Sequence, residues 1–118
     1  MNYDKNVYYN TENCGLEIFA EISADLSYEF DILLVLKDKQ TGKLYFAQDS
    51  GCSCPTPFED YYYKMDGETN LEVLNKQTLE DFKNAVKNWN TYSGYPNVSE
   101  RREFVTKVEN YLKAKKKK

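Results

Sequence analysis

The chain has 118 residues, 41% hydrophobic and 30% charged, which fits one soluble domain with enough core to dispense with disulfide staples. It contains no histidine, so Ser-His-Asp and Cys-His catalysis and an imidazole base near neutral pH are excluded. The formal charge of -3 hides a division: Lys113 and Lys115 to Lys118 form a basic tail, while residues 1–112 hold 11 basic and 19 acidic side chains, a net of -8.

Residues 1–15 are rich in Asn, Tyr and charge. Val7, Tyr8 and Tyr9 are expected as a short edge strand, and Asn13-Cys14-Gly15 as a turn. Residues 16–22 alternate, placing Leu16, Ile18, Ala20 and Ile22 on one face of a strand. Residues 28–36 end in a continuous apolar run and predict a central strand covered on both faces. Residues 37–43 read as a hairpin loop in which Gly42 supplies a positive φ, and residues 44–47 as a third strand. A fourth strand is expected to begin in residues 59–65, before a turn at Asp66-Gly67. Residues 71–74 fit strand or helix. Thr78, with Asp81 three positions on, predicts a capping box for a helix to about residue 90, whose apolar stripe is Leu79, Phe82, Val86 and Trp89. Ser99 is expected to cap a second helix carrying Phe104, Val105, Val108, Tyr111 and Leu112 on one side. The expected fold class is α+β: a small antiparallel β-meander of three to four strands with two C-terminal helices packed on it. It would form one domain, with a β part at 1–75, a helical part at 76–112 and a disordered tail at 113–118.

The densest chemistry lies in residues 49–60, which hold two of the three cysteines and two of the three prolines. Pro55 and Pro57 exclude helix there. Cys52 and Cys54 are one residue apart, so in an extended segment both thiols point the same way and suit one structural Zn²⁺. Asp49, Glu59 and Asp60 flank the pair as oxygen donors, with Asp49 the expected third ligand. In an up-down-up meander Cys14 lies at the opposite end from Cys52, whereas Asp25 lies at the same end. Two other readings of the pair stay open: small residues in a tight loop, or a strained and easily reduced disulfide. Glu59, Asp60, Tyr61, Tyr62 and Tyr63 form the densest acidic and aromatic run, the expected partner-binding patch; an edge strand with ordinary alternation is the alternative.

Gly15-Leu16-Glu17-Ile18, Thr41-Gly42-Lys43-Leu44-Tyr45 and Asp49-Ser50-Gly51-Cys52-Ser53-Cys54-Pro55 together resemble a group of small bacteriophage proteins that carry the last run after a β-hairpin. The likeness covers about residues 15–60. Size, acidity and the implied phage origin are similar to those of anti-CRISPR proteins that inhibit Cas9. No functional residue of that group is matched.

No Walker loop or Rossmann fingerprint is present, and no carboxylate pair is marked as catalytic. The expected function is therefore not enzymatic: stoichiometric inhibition of a host defence nuclease through an acidic, Tyr-rich surface. The expected partner is a basic host protein, a CRISPR effector, since such effectors hold nucleic acid in positive channels. An acidic body repels nucleic acid itself, so no direct nucleic-acid contact is expected. No apolar run reaches the ~20 residues needed to span a bilayer, and the first residues lack a signal-peptide core, so a cytoplasmic protein is expected. The competing readings are a binder of a nucleotide signal, which needs an Arg/Lys-lined pocket, and a metal-dependent hydrolase.

Overall fold

Alternation and turn chemistry in the first half of the chain produce an antiparallel meander, extended by one short strand from beyond the Pro-bounded loop. The computed structural model describes residues 5–24, 29–52, 56–90 and 96–115. Its strands are β1 (Leu16–Ser23), β2 (Glu29–Asp38), β3 (Leu44–Cys52) and β4 (Glu72–Leu74), in the order β1-β2-β3-β4 with every pairing antiparallel. The helices are α1 (Leu79–Lys87) and α2 (Val98–Lys115). The fold is α+β.

β2 carries the apolar run and is covered on both faces. Leu33 and Val35 face a core that includes Phe46, Phe82, Val86, Trp89, Phe104 and Val108, which binds the two helices to the sheet. Ile32, Leu34 and Leu36 face a second core with Val7, Leu16, Tyr45, Phe58, Tyr63 and Leu71. The meander and its central strand match expectation. The second cover does not come from helices. It comes from the N-terminal segment and the chain between β3 and β4.

β1 departs from simple alternation. Its register against β2 shifts between Ile18 and Ala20, with Ile18 opposite Leu36 but Ala20 opposite Val35. The extra residue at Phe19 is a bulge, and a bulge moves every later side chain to the other face. Leu16 therefore belongs to the second core, Ala20 and Ile22 pack on the helical core, and Ile18 is exposed. The carbonyl of Phe19 accepts a hydrogen bond from Lys107 Nζ at 2.7 Å, and its ring meets Tyr111 edge-on at 5.1 Å. The bulge is thus a seat for α2.

Four local expectations are corrected by side-chain hydrogen bonds that sequence periodicity does not register. Residues 7–9 form a turn rather than an edge strand, because Asn6 Oδ1 accepts the N–H groups of both Tyr8 and Tyr9 at 2.8 Å. Residues 59–65 do not begin a strand. The chain turns at 57–60, where Phe58 has φ 62°, and turns again at Asp66 and Gly67, with φ 53° and 80°. That second pair fits a type I′ turn, and Met65 bridges Glu68 across it. The fourth strand is residues 72–74 instead. Thr78 makes no side-chain cap; its hydroxyl donates to the Val73 carbonyl at 3.0 Å, while Asn75 Oδ1 accepts the N–H of Gln77 and of Thr78. α2 begins before Ser99, through a capping box in which Asn97 Oδ1 accepts the Glu100 N–H at 2.9 Å and Glu100 Oε1 accepts the Asn97 N–H at 3.2 Å. α2 continues to Lys115, so its last turn takes in the start of the basic tail. Among the described residues no helix is long and apolar enough to cross a membrane.

Candidate functional site

β4 pairs with only the first part of β3, from Leu44 to Phe46. Beyond Phe46 that side of β3 faces the segment between Thr56 and Leu71. Phe46, Gln48, Asp49, Ser50, Tyr61, Asn70 and Glu72 line a groove of about 500 Å³ between them. Among the described residues its ionisable lining is two carboxylates and a phenol, with no cation.

Asp49 builds this groove by fastening the segment to the sheet. Its Oδ2 accepts the N–H of Phe58 at 2.7 Å, and its Oδ1 accepts the N–H of Ser50 at 3.0 Å. Phe58 is fully buried, between the rings of Tyr8 at 5.4 Å and Tyr61 at 5.5 Å. The positive φ of Phe58 is outside the ordinary range of a bulky residue, and burial together with the Asp49 bond holds it there. Asn6, itself buried, donates to the Pro57 carbonyl at 3.1 Å and joins the N-terminal segment to the same turn.

The expected partner-binding run divides on this scaffold. Asp60 is exposed. Glu59 is half-buried, and its carboxylate accepts the Thr56 N–H at 3.1 Å. Tyr61 is half-buried; its hydroxyl donates to the Gln48 carbonyl at 2.7 Å, and burial pushes its pKa up, so the phenol stays neutral. Tyr62 is half-buried, with its N–H on Asn70 Oδ1 at 2.8 Å and its carbonyl accepting from Thr69 Oγ1 at 2.7 Å. Tyr63 is corrected: it is 6% exposed and belongs to the core, not to a contact surface. The exposed surface here is Asp60 with parts of Tyr61 and Tyr62, joined by Glu72 from β4.

Tyr63 serves instead in a buried polar cluster at the other end of β2. Its hydroxyl donates to Asp38 Oδ2 at 2.5 Å and lies 3.3 Å from the Tyr45 hydroxyl. Asp38 Oδ1 accepts the N–H groups of Gln40 at 2.8 Å and Thr41 at 2.9 Å, and Lys64 Nζ stands 3.3 Å from Oδ2. Burial alone would raise the pKa of Asp38. The Tyr63 hydroxyl, the two N–H groups and Lys64 outweigh it and hold the carboxyl well below its usual range. Burial, followed by the bond to Asp38, pushes Tyr63 far upward. The hairpin is thus organised by an acid that sequence reading left in the loop.

Of the expected metal ligands, Asp49 is on β3 with both carboxylate oxygens engaged by backbone N–H groups. Cys54 and the Cys52 side chain lie outside the described residues, as does Asp25. Among the described residues no group of three or more Cys, Asp or Glu side chains could hold a metal ion. Cys14 is out of reach of Cys52: Leu16 pairs with Asp38 and Cys52 with Glu29, which separates the two ends by about 30 Å at ~3.3 Å per residue. The Cys14 thiol is half-buried, donates to the Lys5 carbonyl at 3.2 Å, and is pushed up in pKa by burial, the reverse of what a nucleophile needs.

A family model, for the domain of unknown function DUF7574, matches residues 5–117. The chain belongs to this family. No curated protein matches it, and no solved structure does. The DUF7574 match covers the sheet, the groove and both helices, so the acid-lined edge of β3 and the segment that faces it fall within one family domain.

Proposed function

We propose that this DUF7574 protein is a non-enzymatic binding protein that acts in the host bacterial cytoplasm by covering a basic protein surface. The observation that carries this reading is the charge of the groove face. Asp49 and Glu72 line the groove, and exposed Asp60 and half-buried Glu59 stand on the segment that faces it, with no cation lining it among the described residues. Lys64, the one base of residues 56–71, is paired with buried Asp38. A face with uncompensated negative charge and half-exposed Tyr rings steers toward a positive partner, and the rings supply contact area at low entropy cost. The phage-protein resemblance directs the choice of partner to a Cas9-type nuclease, whose nucleic-acid channel is positive. Cys52 and Cys54 would close their loop on one zinc ion, a structural role beside the groove.

The test is gel filtration with a Cas9-type effector, together with its DNA-cleavage assay, at low and raised salt. A stoichiometric complex that blocks cleavage and weakens with salt is expected. Reversing exposed charges in Asp60→Lys/Glu72→Lys should abolish it while the circular dichroism spectrum is kept. No complex and full cleavage would end the nuclease assignment. A complex that is indifferent to the charge reversal would remove the groove face from the interface.

A further inference from the structure

A second site lies on the helices and is independent of the acidic groove. α1 and α2 run antiparallel, since Lys83 of α1 meets Glu109 of α2 at 3.5 Å while Val86 and Lys87 meet Arg101. Their inner faces join through Phe82 and Phe104, with ring centroids 5.6 Å apart. Their outer faces leave a groove of about 760 Å³, within the size range of small-ligand sites.

The lining is apolar along its floor and charged at its ends. Val86, Pro96, Val98 and Val105 supply the floor. Val98 is 70% exposed, an aliphatic side chain left in water where the second helix begins. At one end Lys83 lies between Glu80 at 3.4 Å and Glu109 at 3.5 Å, so that end is balanced. At the other end stand Lys87, Arg101 and Arg102 with no acid in the lining. Arg101 is held in place: its Nε donates to the Pro96 carbonyl at 3.0 Å and its NH1 nitrogen to Val86 at 3.0 Å, with the guanidinium 5.2 Å from the Trp89 ring centre. Lys87 and Arg102 make no ion pair among the described residues. Three cations therefore gather at one end of an aliphatic trough, on a body whose net charge is -8.

We propose that this trough binds a small organic anion with an aliphatic body, its headgroup held by Lys87 and Arg102 beside the fixed Arg101, and its chain along Val98 and Val105. A nucleobase fits less well, because among the described residues no aromatic ring lines the groove to stack on it. A carboxylate or phosphate head meets the same cations, so a medium-chain carboxylate and an alkyl phosphate share the chemistry.

Sodium decanoate and decyl phosphate, titrated into the full chain by calorimetry with amide chemical-shift mapping, test the site and distinguish the headgroups. Saturable binding of at least one is expected, with shifts gathered on the facing sides of α1 and α2. Decanol, with the same chain and no charge, should bind at least about tenfold more weakly, the scale of losing hydrogen bonds to charged groups. Lys87→Gln/Arg102→Gln should weaken the anion by a similar factor. Val98→Ser, at an exposed position that the fold does not use, should weaken it several-fold without touching a charge. Failure of both anions to saturate, equal binding of decanol, or shifts outside the groove would overturn the assignment.

Discussion

Replacing Tyr63 by Phe removes one hydroxyl and leaves the ring, which packs edge-on against Tyr45 at 5.0 Å. The change therefore removes the bond to Asp38 together with the longer 3.3 Å contact to the Tyr45 hydroxyl. That carboxylate keeps two backbone N–H donors and Lys64, but the Lys64 side chain is 55% exposed and its pairing contributes only ~0–1 kcal/mol. The lost bond is charge-assisted and buried, so the cost is about 1.5–3 kcal/mol. For a chain of this length that lowers Tm by roughly 5–12 °C. Asp38 has a depressed pKa in the folded state, so its stabilisation is present above the unfolded carboxylate value of about 3.9 and is lost as pH falls through the folded value. Without the hydroxyl the folded carboxyl titrates at higher pH, and the gap between wild type and variant narrows as pH falls through the variant's folded value, which lies below the unfolded value of about 3.9. Tyr63 has a raised pKa, so its stabilisation is present below about 10 and is lost as pH rises toward the folded value. Urea unfolding near pH 2, pH 7 and pH 11 should thus show the widest gap at about pH 7. A cost below about 0.5 kcal/mol at pH 7, or a gap that does not change with pH, would refute the account of this cluster.

Three further outcomes follow from single features. Gly15 follows a short 3-10 helix, Thr11–Cys14, and ends it at φ 76°; a Cβ there would meet nothing within 4 Å, so Gly15→Ala should cost about 1 kcal/mol in chemical denaturation from backbone conformation alone. Phe82→Ala opens a cavity between Phe46, at 5.0 Å, and Phe104, and should cost about 3–5 kcal/mol in chemical denaturation, a large part of the stability of a domain of this size. Elemental analysis should find about one zinc per chain, lost in Cys52→Ser/Cys54→Ser and on chelation, while Cys14→Ser keeps it.

The alternating and continuously apolar segments revealed β1, β2 and β3 in sequence, because a strand's burial is written into a period of two. The apolar stripes of α1 and α2 were legible for the same reason at the helical period. What escaped was set by single polar side chains acting at a distance. Nothing in residues 7–9 shows that Asn6 turns them, and nothing in the Asp38 hairpin shows that Tyr63, 25 residues on, supplies its hydroxyl. The bulge at Phe19 is equally silent, since Leu16 to Ile22 alternate without a break and only the register against β2 shows the slip. The cationic trough was half visible: Arg101 and Arg102 are adjacent in the chain, but Lys87 joins them only once α1 and α2 lie antiparallel.

The groove face depends on the same kind of tie. The segment from residue 56 to residue 71 has neither helix nor strand, yet it is fixed by Asp49 to Phe58, by Tyr61 to Gln48, by Tyr63 to Asp38 and by Asn6 to Pro57. Each tie joins it to β3, to the end of β2 or to the N-terminal segment, so its backbone entropy is lost on folding rather than on binding. On the proposed reading, a partner would meet Asp60, Glu72 and the edges of Tyr61 and Tyr62 on a backbone already ordered, at a cost mainly of rigid-body association. The carboxylates of Asp49 and Glu59 are held by backbone N–H groups of Phe58, Ser50 and Thr56, so these two acids are fixed in place on this face. Asp49 is the most economical element of the arrangement. It lends the groove its charge, and through the Phe58 N–H it also sets the turn that carries the neighbouring acids.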